Sequence, residues 1–477
     1  MDGNGDGVAV VGRLQVAVPF TIPGERVRVR LPSRAPVNGT PRATLVEVVE
    51  PSPHRVKPPC PHFGPEATDG EVCGGCSWQH IAYPEQLRLK TAVVDRLVRD
   101  AIPDAPATRP MISATPNHPW GFRHKVHFAF GNTAPAPRSG AKRHCTSEAE
   151  PAGSSVRGGA SLVMGHLARG SRRVISVTAC PVHAEAGNAE AFALRDAYRR
   201  RGVRAWDPGG RVSGALRSVA VRVGHATGET ATTLVVAHDR DRTLRDATRR
   251  AVERRPDAAG ARGLHLNLHP RDDGFIFGPD TRRLSGPERV RDEVAGVSFL
   301  LSPTAFFQTN VAAAEVLVRL VLDAVPDGAD VLDLYAGAGL FALPLARRGH
   351  AVTAVEENPE AVQDGQASQR LNRIAPERCR WVTRAVEDAA PRLRPTGAVV
   401  LDPPREGCAA GVLNTIFQDR TPSTAVYVSC NPDTLGRDLR AIVAHGYRVD
   451  SVQPVDMFPH TPHIETLVVL SRLGIEH

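Results

Sequence analysis

The C-terminal part of the chain contains the sequence VLDLYAGAGL at residues 331–340. Its first four residues form a short, largely apolar run typical of a buried strand. The glycines that follow, Gly337 and Gly339, allow the backbone to approach a nucleotide-like ligand at the carboxyl end of that strand. Glu356 ends the next apolar run about 20 residues later, where a carboxylate can accept hydrogen bonds from both hydroxyls of a ribose. The sequence lacks the third glycine of a dinucleotide fingerprint and the lysine of a P-loop, so neither kind of site is predicted.

Short apolar runs alternate with helical stretches around this sequence, which predicts βαβ units and a mainly parallel sheet with helices on both faces. The predicted strands are Val331–Leu334, Ala351–Val355, Ala398–Leu401 and Ala425–Val428, and the predicted helices include Glu360–Leu371 and Thr434–Ala444. Together with the glycine-rich turn and Glu356, this α/β pattern resembles a Rossmann-like class I S-adenosylmethionine methyltransferase. We place this domain at residues 296–477.

The rest of the chain predicts two further domains. Residues 1–58 contain four short alternating runs separated by turn signals, which fits a small β-barrel of the OB type, although an SH3-like or other small barrel is equally allowed. The runs are Val8–Val11, Leu14–Val18, Arg26–Leu31 and Thr44–Val49. Residues 59–295 are a mixed α+β region with a predicted helix at Tyr83–Asp100. Within it, residues 131–160 are rich in Gly, Ser, Pro and Ala, and we interpret them as a long loop or insertion.

Composition narrows the class of protein. The 477 residues are 42% hydrophobic and 23% charged, as in ordinary soluble globular proteins, and no apolar run approaches the length of a membrane helix. No secretory signal is visible at the N-terminus, so we expect a cytoplasmic protein, and we expect a monomer. The formal net charge of +8 favours an acidic partner such as nucleic acid. The chain has eight cysteines, and without a secretory signal a disulfide framework is not expected. Those that are clustered in sequence are better interpreted as metal or cluster ligands.

Two motifs follow predicted strands at the same edge of the sheet. Asp402-Pro403-Pro404-Arg405 follows the predicted strand Ala398–Leu401, and Ser429-Cys430-Asn431-Pro432 follows Ala425–Val428. A thiol on the second loop faces the same crevice as the glycine-rich turn, which makes Cys430 a candidate nucleophile. Cysteines are more often small buried apolar residues than nucleophiles, and we interpret Cys379 and Cys408 in that way.

These motifs, with four other segments, resemble the signatures of the RNA 5-methyluridine (uracil-C5) methyltransferases. The matching segments are Asp402–Arg405, Tyr427–Pro432, Asp456–Glu465, Ser302–Asn310, and the cysteine segments Cys60–Gly64 and Cys73–Cys76. The resemblance covers both ends of the chain and is thin from about Phe130 to Ala295. It implies that residues 1–58 are a TRAM domain and that the cysteine segments form an iron–sulfur knuckle.

The resemblance also assigns roles to individual residues. It makes Cys430 the nucleophile and Glu465 the base that removes a proton from carbon 5 of uracil, and we expect burial beside apolar neighbours to raise the pKa of Glu465. The residues that it implies for S-adenosylmethionine binding are Gln308, Tyr335, Gly337, Glu356 and Asp402.

The cysteine knuckle departs from the family in its spacing. Twelve residues separate Cys60 from Cys73, where family members often have five, and we interpret the acidic stretch Glu66–Glu71 as an insertion. With Cys76, and with Cys180 at a Cys-Pro step, the resemblance implies four thiolate ligands for a [4Fe–4S] cluster. A four-cysteine zinc site uses the same ligands and stays open. Cys145, in the 131–160 insertion, is the weaker candidate for the fourth ligand.

The function expected from these observations is S-adenosylmethionine-dependent formation of 5-methyluridine in tRNA or rRNA, through a covalent cysteine–uracil adduct. A small-molecule or protein methyltransferase on the same sheet would leave the N-terminal barrel and the pair Cys430 and Glu465 unexplained. An RNA-binding protein without activity is a third possibility, and the presence of Cys430, Glu465 and Asp402 argues against it.

Overall fold

The computed structural model describes residues 1–3, 5–12, 14–32, 39–65, 72–133, 161–207, 209, 214–253 and 262–474. Residues 134–160 of the predicted insertion, with Cys145, and the predicted insertion at residues 66–71 lie outside the described residues. The insertion begins later than predicted, because Gly131 and Asn132 still belong to a strand. No helix among the described residues is long and apolar enough to cross a membrane.

The N-terminal unit contains the four predicted strands. They are β1 (Gly7–Val11), β2 (Leu14–Val18), β3 (Arg26–Arg30) and β4 (Thr44–Glu50). β1 pairs with β2 and β3 with β4, each pair antiparallel, and the two hairpins share a small core of Val16, Val18 and Ala43. Among the described residues the strands form two two-stranded sheets linked by a bridge between Ala17 and Arg42. The strands are therefore confirmed, whereas a closed OB-type barrel stays a prediction.

The predicted helix at 83–100 is α1 (Tyr83–Ala101), which begins with Pro84 in its first turn. Although it lies within the stretch predicted to be the central domain, it packs against a helix of the C-terminal unit, Pro432–Ala444. Val94 and Val98 share a core with Leu332 and Val399. Sequence position alone did not reveal this packing, because helix amphipathicity shows that a face is buried and not what buries it.

A buried ion pair joins α1 to the C-terminal unit. The Lys90 ammonium donates to Asp456 Oδ1 at 2.6 Å and to the carbonyl of Phe458 at 3.0 Å, and both charged side chains are fully buried. Tyr83 donates its hydroxyl proton to the other carboxylate oxygen of Asp456 at 2.7 Å. Since a buried carboxylate is tolerated when it is paired and hydrogen-bonded, this contact stabilises the loop that precedes Glu465.

We expect Lys90→Met to lower the free energy of unfolding by about 3–5 kcal/mol, because it leaves the Asp456 carboxylate buried without its counter-charge. Arg99→Met on the same helix is the control. Arg99 pairs with Asp95 at the surface, where the two side chains are 49% and 35% exposed, and such pairs contribute about 0–1 kcal/mol. Urea denaturation of the two variants measures the difference. Equal midpoints would contradict a stabilising role for the Lys90–Asp456 pair.

In the described parts of the central unit, a seven-stranded sheet packs with two helices, which is the α+β organisation predicted for this part of the chain. Its elements are β5 (Lys125–Asn132), β6 (Leu162–Leu167), β7 (Val174–Ser176), α2 (Glu185–Arg199), β8 (Leu216–Val223), β9 (Thr230–Val236), α3 (Arg242–Glu253), β10 (Arg262–Leu268) and β11 (Asp280–Ser285). The strand order is β11-β10-β9-β8-β5-β6-β7, and β9 and β10 are the parallel pair in an otherwise antiparallel sheet. Leu194, Tyr198 and Leu244 of the two helices pack into its core.

The C-terminal unit begins earlier than predicted. β12 (Val290–Val294) and β13 (Val297–Leu301) form a hairpin whose turn is Ala295-Gly296, both with positive φ. Val294, Val297 and Phe299 all belong to the core of the C-terminal sheet. The boundary predicted near Gly296 therefore falls inside a hairpin, and the structure moves it to before Val290.

A seven-stranded sheet forms the centre of the C-terminal unit. The elements after β13 are α4 (Val311–Ala324), β14 (Val331–Leu334), α5 (Ala342–Arg347), β15 (Val352–Glu356), α6 (Pro359–Leu371), β16 (Cys379–Thr383), α7 (Val386–Ala389), β17 (Ala398–Leu401), α8 (Ala410–Asn414), β18 (Thr424–Ser429), α9 (Pro432–Ala444), β19 (Tyr447–Val455) and β20 (Glu465–Arg472). The order is β16-β15-β14-β17-β18-β20-β19, with β14 to β18 parallel and β20 antiparallel to both of its neighbours. The predicted Rossmann-like α/β sheet is confirmed.

Candidate active site and metal centre

The chain order reverses direction between β14 and β17, which lie side by side at the centre of the sheet. In open α/β sheets, ligands bind outside the carboxyl ends of the strands at such a point. The predicted site residues Tyr335, Glu356, Asp402 and Cys430 end or follow four of these parallel strands. The topology therefore brings together, at one edge, residues that are almost one hundred positions apart in sequence.

The glycine-rich turn after β14 holds the carboxylate of Glu356. The backbone N–H of Gly337 donates to Glu356 Oε2 at 2.9 Å, and that of Asn358 donates to Glu356 Oε1 at 2.8 Å. Gly339 has φ of +86° and lies so close to Trp381 that an added Cβ would be 2.9 Å from its ring. A side chain at this position would strain the turn and push it away from the sheet.

Tyr335 and Gln308 both precede the glycines of this turn in sequence. Tyr335 has φ of +65°, its ring packs against the sheet core, and its hydroxyl donates to Glu387 at 3.3 Å. Gln308 is mostly buried. It lies in the segment Ser302–Asn310, to which side chains of the central unit donate hydrogen bonds. Lys125 of β5 donates to the carbonyl of Ala305 at 2.9 Å, and the buried Arg222 of β8 donates to the same oxygen. The central unit thus positions the Ser302–Asn310 segment.

The two loops after β17 and β18 are tied together by hydrogen bonds. Asn431 caps α9 by accepting a hydrogen bond from the backbone N–H of Asp433, and its amide donates to the carbonyl of Arg405 at 3.0 Å. Thr434 donates to the same carbonyl at 3.1 Å. These bonds hold the Asp402–Arg405 motif against the loop that carries Cys430, so the two motifs share one site.

Burial and charge set the protonation of this site. The pKa of the half-buried Cys430 thiol is raised to about 11, mainly by burial and then by the charges of Glu465 and Asp402, with Arg405 acting in the opposite direction. Glu465 is 2% exposed at the start of β20, and burial, followed by the Asp402 charge, raises its pKa well above the usual range. Burial also raises the pKa of Asp402. The predicted rise in the pKa of Glu465 is confirmed.

Asp333 is an acidic residue of this site that the sequence did not single out. It lies in β14 and is fully buried, and burial raises its pKa well above the ordinary value, with further contributions from Asp402 and Glu356. The only sequence signal for Asp333 is that it is an isolated aspartate within an apolar run. Such a residue is costly to bury, and its position beside other acids favours a neutral, protonated side chain.

Cys430 lines a cleft of about 820 Å³ that reaches the N-terminal unit and α1. Four arginines line this cleft, which we call the arginine cleft: Arg42, Arg96, Arg169 and Arg405. Met1 to Gly3, Trp78 and Val93 also line it. Arginine forks match the geometry of phosphate, so the cleft has the charge and the size for a nucleic-acid strand. The sequence showed a positive net charge and did not show where that charge is concentrated.

Specific contacts fix the N-terminal unit at the mouth of the cleft. The Trp78 indole donates to the carbonyl of Gly5 at 2.8 Å, and Arg169 donates to the buried carboxylate of Asp6 at 2.8 Å. Arg42 donates to the other oxygen of Asp6. An added Cβ on Gly5 would be 2.6 Å from Trp78. The N-terminal unit is therefore packed as a wall of the cleft.

Polar residues on the buried face of α1 hold the loop before Glu465. Gln86 lies within 3.2 Å of His460 Nδ1 and accepts a hydrogen bond from the backbone N–H of His460 at 2.8 Å. His460 also stacks on Trp120, with ring centroids 3.8 Å apart. With Lys90, this helix positions the loop through polar side chains on one face. Gln86 and Lys90 lie among the apolar residues of an amphipathic helix. Because buried polar side chains need hydrogen-bond partners, this pattern could have indicated from the sequence that the helix positions another segment.

The four predicted metal ligands line a second cavity, of about 200 Å³, which we call the cysteine cavity. Cys60, Cys73 and Cys76 come from the loop before α1, and Cys180 comes from the loop after β7. Burial raises the pKa of Cys76 and of Cys180 to about 12, so both thiols stay protonated unless a metal binds. The structure thus brings the four cysteines to one place although up to 120 residues separate them.

The other polar residues of the cysteine cavity are basic or neutral. Its described lining contains Arg123, Lys125 and four histidines, His62, His127, His166 and His183, and no carboxylate. Arg123 Nε is buried without a hydrogen-bond partner among the described residues. Burial lowers the pKa of His127 and of His166 to about 4, so these imidazoles are neutral at physiological pH. The cavity is therefore suited to an anionic group.

Comparison with known proteins places these features in context. A family model described as tRNA (uracil-5-)-methyltransferase matches residues 225–473. An uncharacterised RNA methyltransferase of Gloeobacter violaceus is 35% identical, over 98% of this chain and 94% of the relative, and one of Synechocystis is 33% identical, over 99% and 94%. The crystal structure of Pyrococcus abyssi tRNA (uracil-54, C5)-methyltransferase in complex with S-adenosyl-L-homocysteine superimposes with a TM-score of 0.72 at 23% identity, covering 98% of this chain and 97% of that one. This last likeness shows a shared fold.

Proposed function

This chain belongs to the tRNA (uracil-5-)-methyltransferase family, and we propose that it methylates carbon 5 of a uridine in RNA through a covalent adduct of Cys430 with the uracil ring. The observation that carries the proposal is the opening of Cys430 into the arginine cleft. Glu465, Asp402 and Arg405 act on the Cys430 thiol from the same crevice. A small-molecule methyltransferase would need neither a cleft of this size and charge nor a nucleophile.

The chemistry explains why a thiol and a base are needed. Carbon 5 of uracil is too weakly nucleophilic to take a methyl group directly. Addition of the Cys430 thiolate to carbon 6 forms an enolate whose carbon 5 can attack an electrophilic methyl group. Glu465 then takes the proton from carbon 5, the C6–S bond breaks, and the thiolate leaves 5-methyluridine behind. Every step is heterolytic, and no net oxidation or reduction occurs.

The charges around Cys430 and Glu465 support thiolate addition as the first step and proton removal as a later one. With a pKa of about 11, the Cys430 thiol is mostly protonated at neutral pH, and Arg405 is the cation that favours its thiolate. The buried Glu465 binds protons more tightly than an ordinary glutamate, so it is a stronger base than usual once it is ionised. Asp402 raises the pKa of the thiol, so we assign it to orienting the uracil and the methyl donor.

The methyl donor that fits this site is S-adenosyl-L-methionine, which supplies an electrophilic methyl group on a sulfonium sulfur. The two backbone N–H groups that hold Glu356 fix its carboxylate at the carboxyl end of β15, where ribose hydroxyls can be bound. Tyr335 would pack on the donor, and Gln308, Gly337 and Asp402 would complete its contacts. The solved relative from Pyrococcus abyssi holds S-adenosyl-L-homocysteine, which is the demethylated product of this donor.

Release of tritium from RNA labelled at carbon 5 of uridine tests the proposed function. We expect release by the wild-type protein that depends on S-adenosylmethionine, because methylation replaces the carbon-5 hydrogen. Methyl transfer to protein or to a small molecule, and RNA binding without catalysis, both predict no release. Mass mapping of 5-methyluridine in RNA from a deletion strain would then identify the uridine and distinguish tRNA from rRNA.

We infer further that the cysteine cavity holds a [4Fe–4S] cluster on Cys60, Cys73, Cys76 and Cys180. A single zinc ion with Zn–S bonds of about 2.3 Å would require sulfur atoms less than about 4 Å apart. Among the described residues, the group of potential ligands whose atoms all lie within 4.8 Å of one another includes Cys180 and none of the other three cysteines. The wider spacing of the others favours a larger group, and Arg123 and Lys125 offset its negative charge.

Protein purified anaerobically is expected to be brown and to contain about four iron and four sulfide per chain. Cys76→Ser should lose most of this iron, because it removes one of four ligands, whereas Cys379→Ser, at a buried cysteine of the C-terminal sheet, should retain it. Iron and sulfide assays measure both. Stoichiometric zinc without iron in the wild-type protein would show that the cavity holds the zinc alternative.

A further inference from the structure

Two histidines and one cysteine converge within the cysteine cavity. One ligand atom from each of His166, Cys180 and His183 lies within 4.8 Å of the other two. His166 comes from β6, whereas Cys180 and His183 come from the loop between β7 and α2. Among the described parts of the chain, no other group of three or more His, Cys, Asp or Glu meets this distance. All three residues line the same cavity of about 200 Å³.

Each imidazole has a buried nitrogen that lacks a hydrogen-bond partner in the described structure: Nε2 of His166 and Nδ1 of His183. His183 is 4% exposed. A buried polar atom without a partner is destabilising, so such atoms usually have an occupant to bind. The Phe128 ring packs against both imidazoles, with ring centroids 5.0 and 4.8 Å away, and the two imidazoles contact each other edge to face at 5.2 Å. The rings are thus held in place before anything binds.

The loop that carries the thiol is also fixed. The Asn188 amide donates to the carbonyl of Cys180 at 2.9 Å, and the backbone N–H of His183 donates to the same carbonyl at 3.2 Å. These two bonds fix the backbone that carries the Cys180 side chain. The donor set of two imidazoles and one thiolate is suited to Zn²⁺ and to Fe²⁺ and Co²⁺, and it leaves a fourth tetrahedral position for a small ligand such as water.

We propose that His166, Cys180 and His183 form a mononuclear site for a divalent transition-metal ion such as Zn²⁺, and that its occupation excludes ligation of a cluster by the four cysteines. Exclusion follows because both arrangements need the sulfur of Cys180. The same cavity therefore has two metal states, one with mixed nitrogen and sulfur ligands and one with sulfur ligands alone. The mononuclear state is the one available when iron or sulfide is lacking.

Cobalt binding tests the site in a protein that cannot form the four-cysteine arrangement. We expect the full-length double variant Cys60→Ala/Cys73→Ala, prepared anaerobically without iron, to bind about one Co²⁺ per chain. X-ray absorption should show imidazole nitrogen together with sulfur in its first shell. A first shell without imidazole would overturn the proposal, and this measurement requires no histidine substitution.

Histidine substitutions in that same double variant provide the second test. His166→Ala and His183→Ala should each weaken Co²⁺ binding by more than about 100-fold, because loss of a ligand costs more than the 10- to 100-fold change typical of outer-shell partners. His127→Ala is the matched control, since His127 lines the same cavity and lies outside the three-residue group. Unchanged affinity in the His166 and His183 variants, or an equal loss in the control, would contradict the assignment.

Competition between Zn²⁺ binding and cluster assembly tests whether the two metal states exclude each other. In the protein with all four cysteines, preloading the iron-free form with one equivalent of Zn²⁺ should slow cluster reconstitution by about tenfold or more. Visible absorption monitors the reconstitution. The same preloading should have little effect in His166→Ala. Equal inhibition in both proteins would show that zinc acts elsewhere. If the wild-type protein formed no cluster, the cobalt measurements would still decide whether the mononuclear site exists.

Discussion

Replacement of Cys430 by alanine is expected to abolish methyl transfer, with a loss of at least about 10⁴-fold in kcat, because removal of a nucleophile eliminates the covalent pathway. Without the thiol, carbon 5 of uracil keeps its weak nucleophilicity even when the methyl donor is correctly bound. The variant should also form no RNA complex that survives a denaturing gel. Tritium release and gel electrophoresis measure the two losses independently.

RNA containing 5-fluorouridine isolates the covalent step. We expect the wild-type protein to accumulate an adduct on this RNA, since no proton can leave carbon 5 and the C6–S bond cannot break. Cys379→Ala is the matched control, because Cys379 is a buried cysteine at the amino end of β16, at the opposite edge of the sheet. That variant should keep the activity. Methylation by Cys430→Ala, or no adduct with the wild type, would exclude the covalent mechanism for this protein.

The rate of adduct formation should rise with pH. Because burial raises the pKa of Cys430 to about 11, the fraction of thiolate grows about tenfold for each pH unit below that value. Arg405→Gln should slow the reaction at pH 8, because it removes the positive charge that lowers the pKa of the thiol. A rate that fell between pH 7 and pH 9 would contradict this view of the resting site.

Glu465→Gln is expected to lower turnover by about 10²- to 10⁴-fold, the usual contribution of a general base. The variant should still add to the uracil and transfer the methyl group, because only the later removal of the carbon-5 proton needs the carboxylate. It should therefore accumulate the methylated adduct on ordinary RNA, where the wild type does not. Denaturing gels and mass spectrometry of the trapped peptide identify the species.

Glu406→Gln is the control for this substitution. Glu406 is an exposed glutamate beside Arg405, so its replacement changes the charge near the cleft without touching the buried base. It should retain turnover close to that of the wild type. Full activity of Glu465→Gln, or an adduct that never forms in it, would show that another group removes the proton.

Most of the fold could be predicted because it depends on local patterns. The strand Val331–Leu334 was predicted with its exact limits, and the strands around it within about one residue, since short apolar runs bounded by turn residues determine them. The domain boundary near Gly296 was wrong for a related reason. Ala295-Gly296 has the composition of a linker, and a tight hairpin turn has the same composition.

Sequence also determined the kinds of chemistry available: thiols at Cys430 and Cys180, a carboxyl at Glu465, and a glycine-rich turn after a buried strand. Only the tertiary structure decided their surroundings. It pairs Lys90 with Asp456 across 366 residues, builds the N-terminal unit into the arginine cleft, and brings His166 and His183 to Cys180. The physical reason is that burial and charge depend on neighbours that are distant in sequence. A residue's type is local, whereas its pKa and its partners are properties of the packed molecule.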